Sequence, residues 1–315
     1  MTGRTGREGK TRISRSALIH PDARDGKPME SFSITPAVAL MRPALLPFIL
    51  VLLLLMGVRL LPEKWRSTAL LPDLVVMAGI LFLFDLFDPA AIRHFFNPNR
   101  PMDWIPLLAT STFALRAILP RTPSLLSETG LLLVSLAILT LPLLRQVPLE
   151  KGMISLLLTF TPWIAIRALY PADARQGIDA TYLLPPFFTA AAFSFISPLS
   201  GSLLLGQLSG GLAALFGAMA LASWAGGVRV SAIESGWVLG ALLLIGLDYV
   251  EISLKVILCL AGALMLGAVA GRLSNRIRGI GGGRRAAFVG GFTALPLVAA
   301  IVVTLSDLKN QGGGY

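Results

Sequence analysis

The stretch SLKVILCLAGALMLGAVAGRLSNRIRGIGGGRRAAFVGGFTALPLVAAIVVTL, residues 253–305, contains two apolar segments with an arginine-rich loop between them. The segments 253–271 and 287–305 each approach the roughly 20 apolar residues that an α-helix needs to cross about 30 Å of lipid hydrocarbon. The loop 272–285 carries five arginines and no carboxylate. The stretch therefore predicts two membrane-spanning helices joined by a cationic loop at the membrane surface.

The rest of the chain repeats this apolar composition. Of 315 residues, 55% are hydrophobic and 14% are charged, whereas a soluble domain has about 25% charged residues. A chain this apolar cannot cover its surface in water, which predicts an all-α membrane protein, a polytopic bundle with many crossings. Eight further apolar stretches precede the two above: 43–61, 69–87, 104–118, 124–144, 152–170, 180–199, 202–225 and 229–248.

The distribution of Lys and Arg predicts how many of these stretches cross. If all ten cross from a cytosolic N-terminus, 14 cations lie inside and 13 lie outside, including those of 272–285. If 104–118 does not cross, the count becomes 20 inside and 7 outside. Because cytosolic loops carry an excess of Lys and Arg, we predict about nine transmembrane helices, within a range of eight to ten. The stretch 104–118 would then be a re-entrant or interfacial helix.

The same patterns divide the chain into three regions. Residues 1–37 carry seven Lys and Arg among Gly, Ser and Thr, which predicts a disordered basic cytosolic tail. Residues 38–308 form the polytopic transmembrane domain, and 309–315 form a short flexible C-terminus. We expect a multi-pass protein of the cell (inner) membrane, in contact with membrane lipids, with its N-terminus cytosolic and its C-terminus external.

The net charge of +10 has two readings. Nucleic-acid binding is disfavoured because no basic face interleaved with aromatic residues occurs. The basic tail instead suits a docking arm for a protein partner or for anionic lipid.

A group of polar residues in the C-terminal half predicts a path for a solute. Glu234 lies in an otherwise apolar run, where a carboxylate needs a partner or stays protonated, as a proton-coupling group does. The adjacent Pro185 and Pro186 free backbone carbonyls that could bind a polar solute together with nearby hydroxyls. The alternative is that 197–202 is a tight turn between ordinary helices. The residues that this hypothesis assigns to substrate binding or coupling are Glu234, Pro185, Pro186, Gln207, Ser209 and Asp248.

Small residues at four-residue spacing mark three of the predicted helices. Such spacing lets two helix backbones approach closely inside a membrane, where the hydrophobic effect does not drive association. We expect plain packing, with a sliding interface of a transporter as the alternative. The pairs are Gly206 and Gly210, Gly236 and Gly240, and Gly267 and Gly271.

Two carboxylate pairs lie near predicted membrane surfaces. Asp85 and Asp88 are three residues apart, and Asp248 and Glu251 repeat that spacing. Water reaches such positions, so we interpret them as solvated helix ends. Lys255 follows Glu251 by four residues, which predicts an ordinary ion pair on one helix.

The segment 85–103 is the densest polar cluster of the chain. Its candidate catalytic residues are Asp85, Asp88, Arg93 and His94, which would suit a site for a lipid phosphate. No histidine pair at metal-binding spacing and no nucleophile motif occurs in the sequence. We therefore predict no metal and no other cofactor, and we favour a structured loop without catalysis.

Three functions remain open from the sequence. The leading hypothesis is a transporter or permease for a small-molecule or lipid-linked solute. The alternatives are an integral membrane enzyme that acts on a lipid phosphate and a non-catalytic membrane subunit that binds its partners through the basic tail. The absence of catalytic motifs makes an enzyme the less favoured interpretation.

Overall fold

A computed structural model describes residues 36–62, 70–118, 180–226, 233–277 and 281–312, together with positions 152, 154, 155, 157 and 165. Within these residues all regular structure is helical, as the sequence predicted. A 3₁₀ turn, Ala180–Leu183, precedes the fifth α-helix. The α-helices are α1 (Pro36–Leu60), α2 (Leu70–Phe87), α3 (Pro89–Arg93), α4 (Pro101–Ile118), α5 (Leu184–Leu199), α6 (Leu203–Gly226), α7 (Ile233–Asp248), α8 (Leu254–Arg276) and α9 (Gly282–Gly312).

Four helices of the described part are long and apolar enough to cross a membrane, judged by length and composition. They are Ala180–Leu199, Leu203–Ala225, Leu254–Arg276 and Gly282–Asn310. Leu45–Leu60 and Ser235–Asp248 are shorter apolar helices. Inside a bilayer every backbone N–H and C=O must be satisfied within the segment, which continuous helices of this kind achieve.

The hairpin of α5 and α6 shows how the sequence sets helix boundaries. Pro185 and Pro186 lie in the first turn of α5, where a missing N–H breaks no helical hydrogen bond. The helix ends at Leu199, and Gly201 takes a left-handed φ of 95° that a residue with a side chain rarely adopts. The turn offered as the alternative to a broken-helix site is present at 200–202, between α5 and α6, and between Leu184 and Leu199 the helix is unbroken.

Contacts between neighbouring helices define their directions. A methyl group added at Gly79 of α2 would lie 2.6 Å from Val51 Cγ2 and 2.8 Å from Leu215 Cδ2. One turn further along α2, Leu83 occupies the space that a methyl group on Gly211 of α6 would need. Gly79 of α2 thus lies beside Leu215 of α6, and Leu83 lies beside Gly211. Because residue numbers rise along α2 as they fall along α6, the two helices are antiparallel.

The bundle therefore has two ends, which we name after one residue each. The Ser200 end holds the α5–α6 turn, the end of α2 and the α7–α8 loop. The Arg276 end holds the end of α1, the end of α6 and the end of α8. At the latter, Arg59 Nη1 donates a hydrogen bond of 3.0 Å to the carbonyl of Ala225.

The number of crossings stays a prediction, because 124–144 and most of 152–170 lie outside the described residues, but this hydrogen bond bears on it. Nine crossings with 104–118 left out would put Leu61 outside and Ala225 inside, whereas the structure brings the two helix ends together. The stretch 104–118, predicted as a re-entrant or interfacial helix, belongs to one continuous helix of 18 residues, Pro101–Ile118, and its place relative to the membrane stays a prediction. This helix starts at the Ser200 end and packs against α2 and α7.

Candidate functional site

The segment between α2 and α4 forms an ion cluster around Arg100. Arg100 Nη2 lies 3.0 and 3.1 Å from the two carboxylate oxygens of Asp88 and also donates to Asp103 Oδ1 at 2.6 Å. Its Nε donates to the same Asp103 oxygen at 3.0 Å. Both carboxylates are buried, with exposed fractions of 5% for Asp88 and 0% for Asp103. One half-exposed guanidinium thus forms ion pairs with two buried carboxylates.

Local chain geometry positions this cluster. Pro89 and Pro101 each begin a helix, so the intervening segment turns back sharply. Asp103 lies in the first turn of α4, and its Oδ2 accepts the backbone N–H of Arg100 at 2.9 Å and that of Asn99 at 3.2 Å. A carboxylate in the first turn of a helix is also stabilised by the helix dipole.

The arrangement favours a structural clamp over a reaction centre. Asp88 and Asp103 are already bound to Arg100, and the hydrogen bonds that Arg100 donates to Asp103 and Asp88 raise the pKa of its guanidinium. His94 Nδ1 lies 3.6 Å from Asp103 Oδ2, beyond hydrogen-bond distance. Of the four predicted catalytic residues, the structure brings only Asp88 and His94 to this cluster.

The other two predicted catalytic residues lie apart from the cluster's ion pairs. Asp85 and Arg93 are both exposed. Asp85 fits the prediction of a solvated helix end, whereas Asp88 does not, because it is buried and ion-paired. Arg100 and Asp103 were noticed in the sequence only as members of a polar segment. The signal that could have singled them out is the Pro101-Met102-Asp103 order, which places a carboxylate in a first helical turn.

The region between Pro185 and Gly210, which the sequence predicted to bind a solute, consists of helices joined by a short turn. Most of its hydroxyl groups donate hydrogen bonds to carbonyls of their own helix. The hydroxyls of Ser197 and Ser209 are buried and donate to the carbonyls of Phe193 and Leu205, each at 2.7 Å. Gln207 is half-buried. Thr189 differs, since its buried hydroxyl has no hydrogen-bond partner among the groups that the structure describes. Four-residue back-bonding uses the O–H donor of these hydroxyls, so only their oxygen lone pairs stay available to a solute.

The glycine pairs bring helices together at two points. A methyl group added at Gly206 would lie 2.6 Å from Pro198 Cγ within the α5–α6 hairpin. One added at Gly267 would lie 2.6 Å from both Pro185 Cγ and Thr293 Oγ1, so α8 packs tightly against α5 and α9. These contacts agree with the packing interpretation. They also give Pro185 a structural role.

A cavity of about 270 Å³ opens at the Ser200 end, between the α5–α6 turn, the α7–α8 loop and α9. Its polar lining consists of two carboxylates and three hydroxyls, and the remaining lining is aliphatic. Most of the accessible lining is polar, so the cavity suits a small hydrophilic ligand more than an apolar one. We name it the acidic cavity; its lining residues are Leu199, Ser200, Val250, Glu251, Ile252, Ser253, Val256, Thr304, Asp307 and Leu308.

Glu251 holds an unusual backbone conformation at the rim of this cavity. Its φ is 57°, in the left-handed region, which costs a residue with a side chain about 1–2 kcal/mol. The predicted helix ion pair with Lys255 is therefore wrong, because Glu251 lies in the loop before α8 begins at Leu254. Strained residues concentrate at functional sites. Nothing in the sequence indicated this conformation, and Asp307 drew no attention because it follows the last apolar stretch.

Two further predicted residues lie at helix ends. Asp248 is the last residue of α7, where its Oδ1 accepts a hydrogen bond of 2.9 Å from Ser155. Burial, with a contribution from the Asp248 charge, raises the pKa of the neighbouring Tyr249. Glu234 is the second residue of α7, and its side chain lies outside the described residues, so its coupling role stays a prediction.

Other predictions fall outside the part of the chain that the structure describes. These are the basic tail 1–37 up to Thr35, the stretch 124–144, most of 152–170 and the last residues of 309–315. Among the described residues, no group of three or more His, Cys, Asp or Glu could hold a metal ion.

No protein-family model matches the sequence, and no curated protein matches it significantly.

Proposed function

We propose that this chain is a multi-pass membrane protein that transports a small, positively charged solute, which enters through the acidic cavity. The observation that carries the proposal is the pairing of Glu251 and Asp307 in one cavity with three hydroxyls. A carboxylate pair favours a cation, while hydroxyl oxygens can replace part of its hydration shell. Lys255 of α8 and Lys309 of α9 lie close to these carboxylates in the sequence but do not line the cavity.

The proposal includes ten crossings instead of nine. The described helices alternate in direction, and α4 runs from the Ser200 end towards the Arg276 end. If α4 and the stretches 124–144 and 152–170 all cross, α1 and α6 end on the same face, in agreement with the contact between Arg59 and Ala225. The N-terminus of α1 and the C-terminus of α9 then share the face at the Ser200 end.

The location of the cavity supports entry of a solute from one face. It lies where α5 and α7 end and where α8 begins, so a solute reaches it without crossing hydrocarbon. The half-buried Asp307 and the buried Thr304 lie deeper than the exposed Glu251. Glu251 would thus meet an arriving cation first, and Asp307 would hold it among the hydroxyls.

The test is a flux measurement in sealed proteoliposomes that trap a pH-sensitive dye and contain the full chain. Inwardly directed gradients of Na⁺, choline and spermidine, each higher outside the vesicles, are imposed in turn, and cation entry is followed through the compensating movement of protons. We expect at least one of these cations to produce flux. The double variant Glu251→Gln and Asp307→Asn should raise the half-saturating concentration about tenfold, since losing about 1.4 kcal/mol of attraction corresponds to that factor.

The matched control is Asp85→Asn, which removes an exposed carboxylate at the same end of the bundle without touching the cavity. It should leave the half-saturating concentration unchanged. Equal effects of the two changes would mean that only the overall surface charge matters. Absence of flux with all three cations would overturn the proposal of cation transport.

A further inference from the structure

The Arg276 end carries a cationic surface at the junction of α8 and α9. We define it by Arg272, Arg276, Arg284 and Arg285, which lie in the last turns of α8 and the first turn of α9. The first three are exposed, and Arg285 is partly exposed. No carboxylate occurs in the sequence between Glu251 and Asp307, so neither helix balances this charge.

Two of these arginines have no acidic partner within the described part of the chain. The ion pairs found there all belong to the cluster of Arg100, and none involves Arg276 or Arg284. A guanidinium presents a planar fork of N–H donors that matches a phosphate in a bidentate manner. The cationic surface is therefore complementary to phosphate groups.

The exposed apolar face of the same two helices leads directly to this surface. On α8, Val269 and Leu273 are exposed beside Arg272 and Arg276. On α9, only 22% of the most apolar stretch of 18 residues is buried. The exposed apolar side chains of α9 are Phe292, Leu295, Val298, Val302 and Leu305. A face of this length suits lipid acyl chains, and cations at its end then lie at the level of the headgroups.

From this juxtaposition we infer that the cationic surface binds the phosphate headgroups of anionic phospholipids in the leaflet at the Arg276 end. Because the exposed apolar face continues into the arginines, one phospholipid can contact both, with its acyl chains on the face and its phosphate at the arginines. A soluble anion could contact the arginines alone. Surface cations of this kind attract anionic lipid with about fivefold gain in affinity per residue. The inference stands whether or not the acidic cavity transports a cation.

The test uses native mass spectrometry of the full chain, released from micelles that hold phosphatidylglycerol and phosphatidylcholine in equal amounts. We expect the natural chain to retain phosphatidylglycerol selectively. The double variant Arg276→Gln and Arg284→Gln should lose about 25-fold in affinity for phosphatidylglycerol. The double variant Arg276→Lys and Arg284→Lys keeps the charge and should retain selectivity. Such retention would show that substitution at these two positions does not by itself unfold the protein.

The matched control is Lys255→Gln with Lys309→Gln, which removes two charges from the same two helices at their opposite ends. It should leave phosphatidylglycerol retention unchanged. An equal loss in this control would overturn the inference, because net charge alone would then explain retention. Displacement of the lipid by millimolar inorganic phosphate would also overturn it, since the surface would then bind free anions and have no preference for lipid.

Discussion

Replacing Arg100 with alanine should lower the free energy of unfolding by about 2–3 kcal/mol, measured by titrating the purified protein in mixed micelles with sodium dodecyl sulfate. Breaking a buried ion pair by removing one partner costs about 3–5 kcal/mol, and this figure is reduced because the Arg100 side chain is 46% exposed. The variant leaves Asp88 and Asp103 buried and unneutralised. Like charges at close range then repel each other, so the turn between α2 and α4 should open first.

Two further variants separate this ion-pair effect from general effects of losing an arginine. Arg93→Ala removes an exposed arginine seven residues before Arg100, in the same segment between α2 and α4, and should change the unfolding free energy by less than about 0.5 kcal/mol. Arg100→Lys keeps the charge without the planar fork and should fall between the two. Equal stability of Arg100→Ala and Arg93→Ala would contradict the clamp.

Replacing Gly267 with alanine should cost about 2 kcal/mol of unfolding free energy in the same micelle titration. The added methyl group would lie 2.6 Å from both Pro185 Cγ and Thr293 Oγ1. The proline ring is rigid and the Thr293 hydroxyl is fixed by its bond to the carbonyl of Val289, so neither can yield without moving a helix. Overpacking of this kind typically costs about 1–3 kcal/mol.

The comparison for this change is Gly262→Ala, five residues earlier on α8. A methyl group there would meet nothing within 4 Å. The substitution should be neutral or slightly stabilising, because alanine is the better helix former by about 1 kcal/mol. If Gly267→Ala were as stable as Gly262→Ala, the close approach of α8 to α5 and α9 would be wrong.

The helical class of this protein follows from its sequence, whereas the path of the chain does not. Apolar stretches near 20 residues predict helices directly, and the proline and glycine positions predict the α5–α6 turn. Charge counting predicted which stretches cross, but it treats each loop separately. It cannot register that Arg59 reaches Ala225, a contact between residues 166 positions apart.

The candidate sites show a similar division. Asp88 and His94 could be selected because polar residues crowd one short segment. The closure of that segment by Arg100 depends on the fold of two helix starts, which no spacing rule specifies. The acidic cavity is assembled from three separate parts of the chain, so Glu251 and Asp307 could be associated only once the helices were in place.

Cysteine labelling in sealed vesicles is the most direct test of a membrane-embedded bundle with two defined ends. In a chain with Cys259→Ser, single changes Asn97→Cys and Lys309→Cys mark the Ser200 end, while Leu61→Cys and Arg276→Cys mark the other end. We predict that an impermeant maleimide labels the first two from one side of the vesicle and the last two from the opposite side. Labelling of positions 97 and 309 from opposite sides would contradict the ten-crossing bundle.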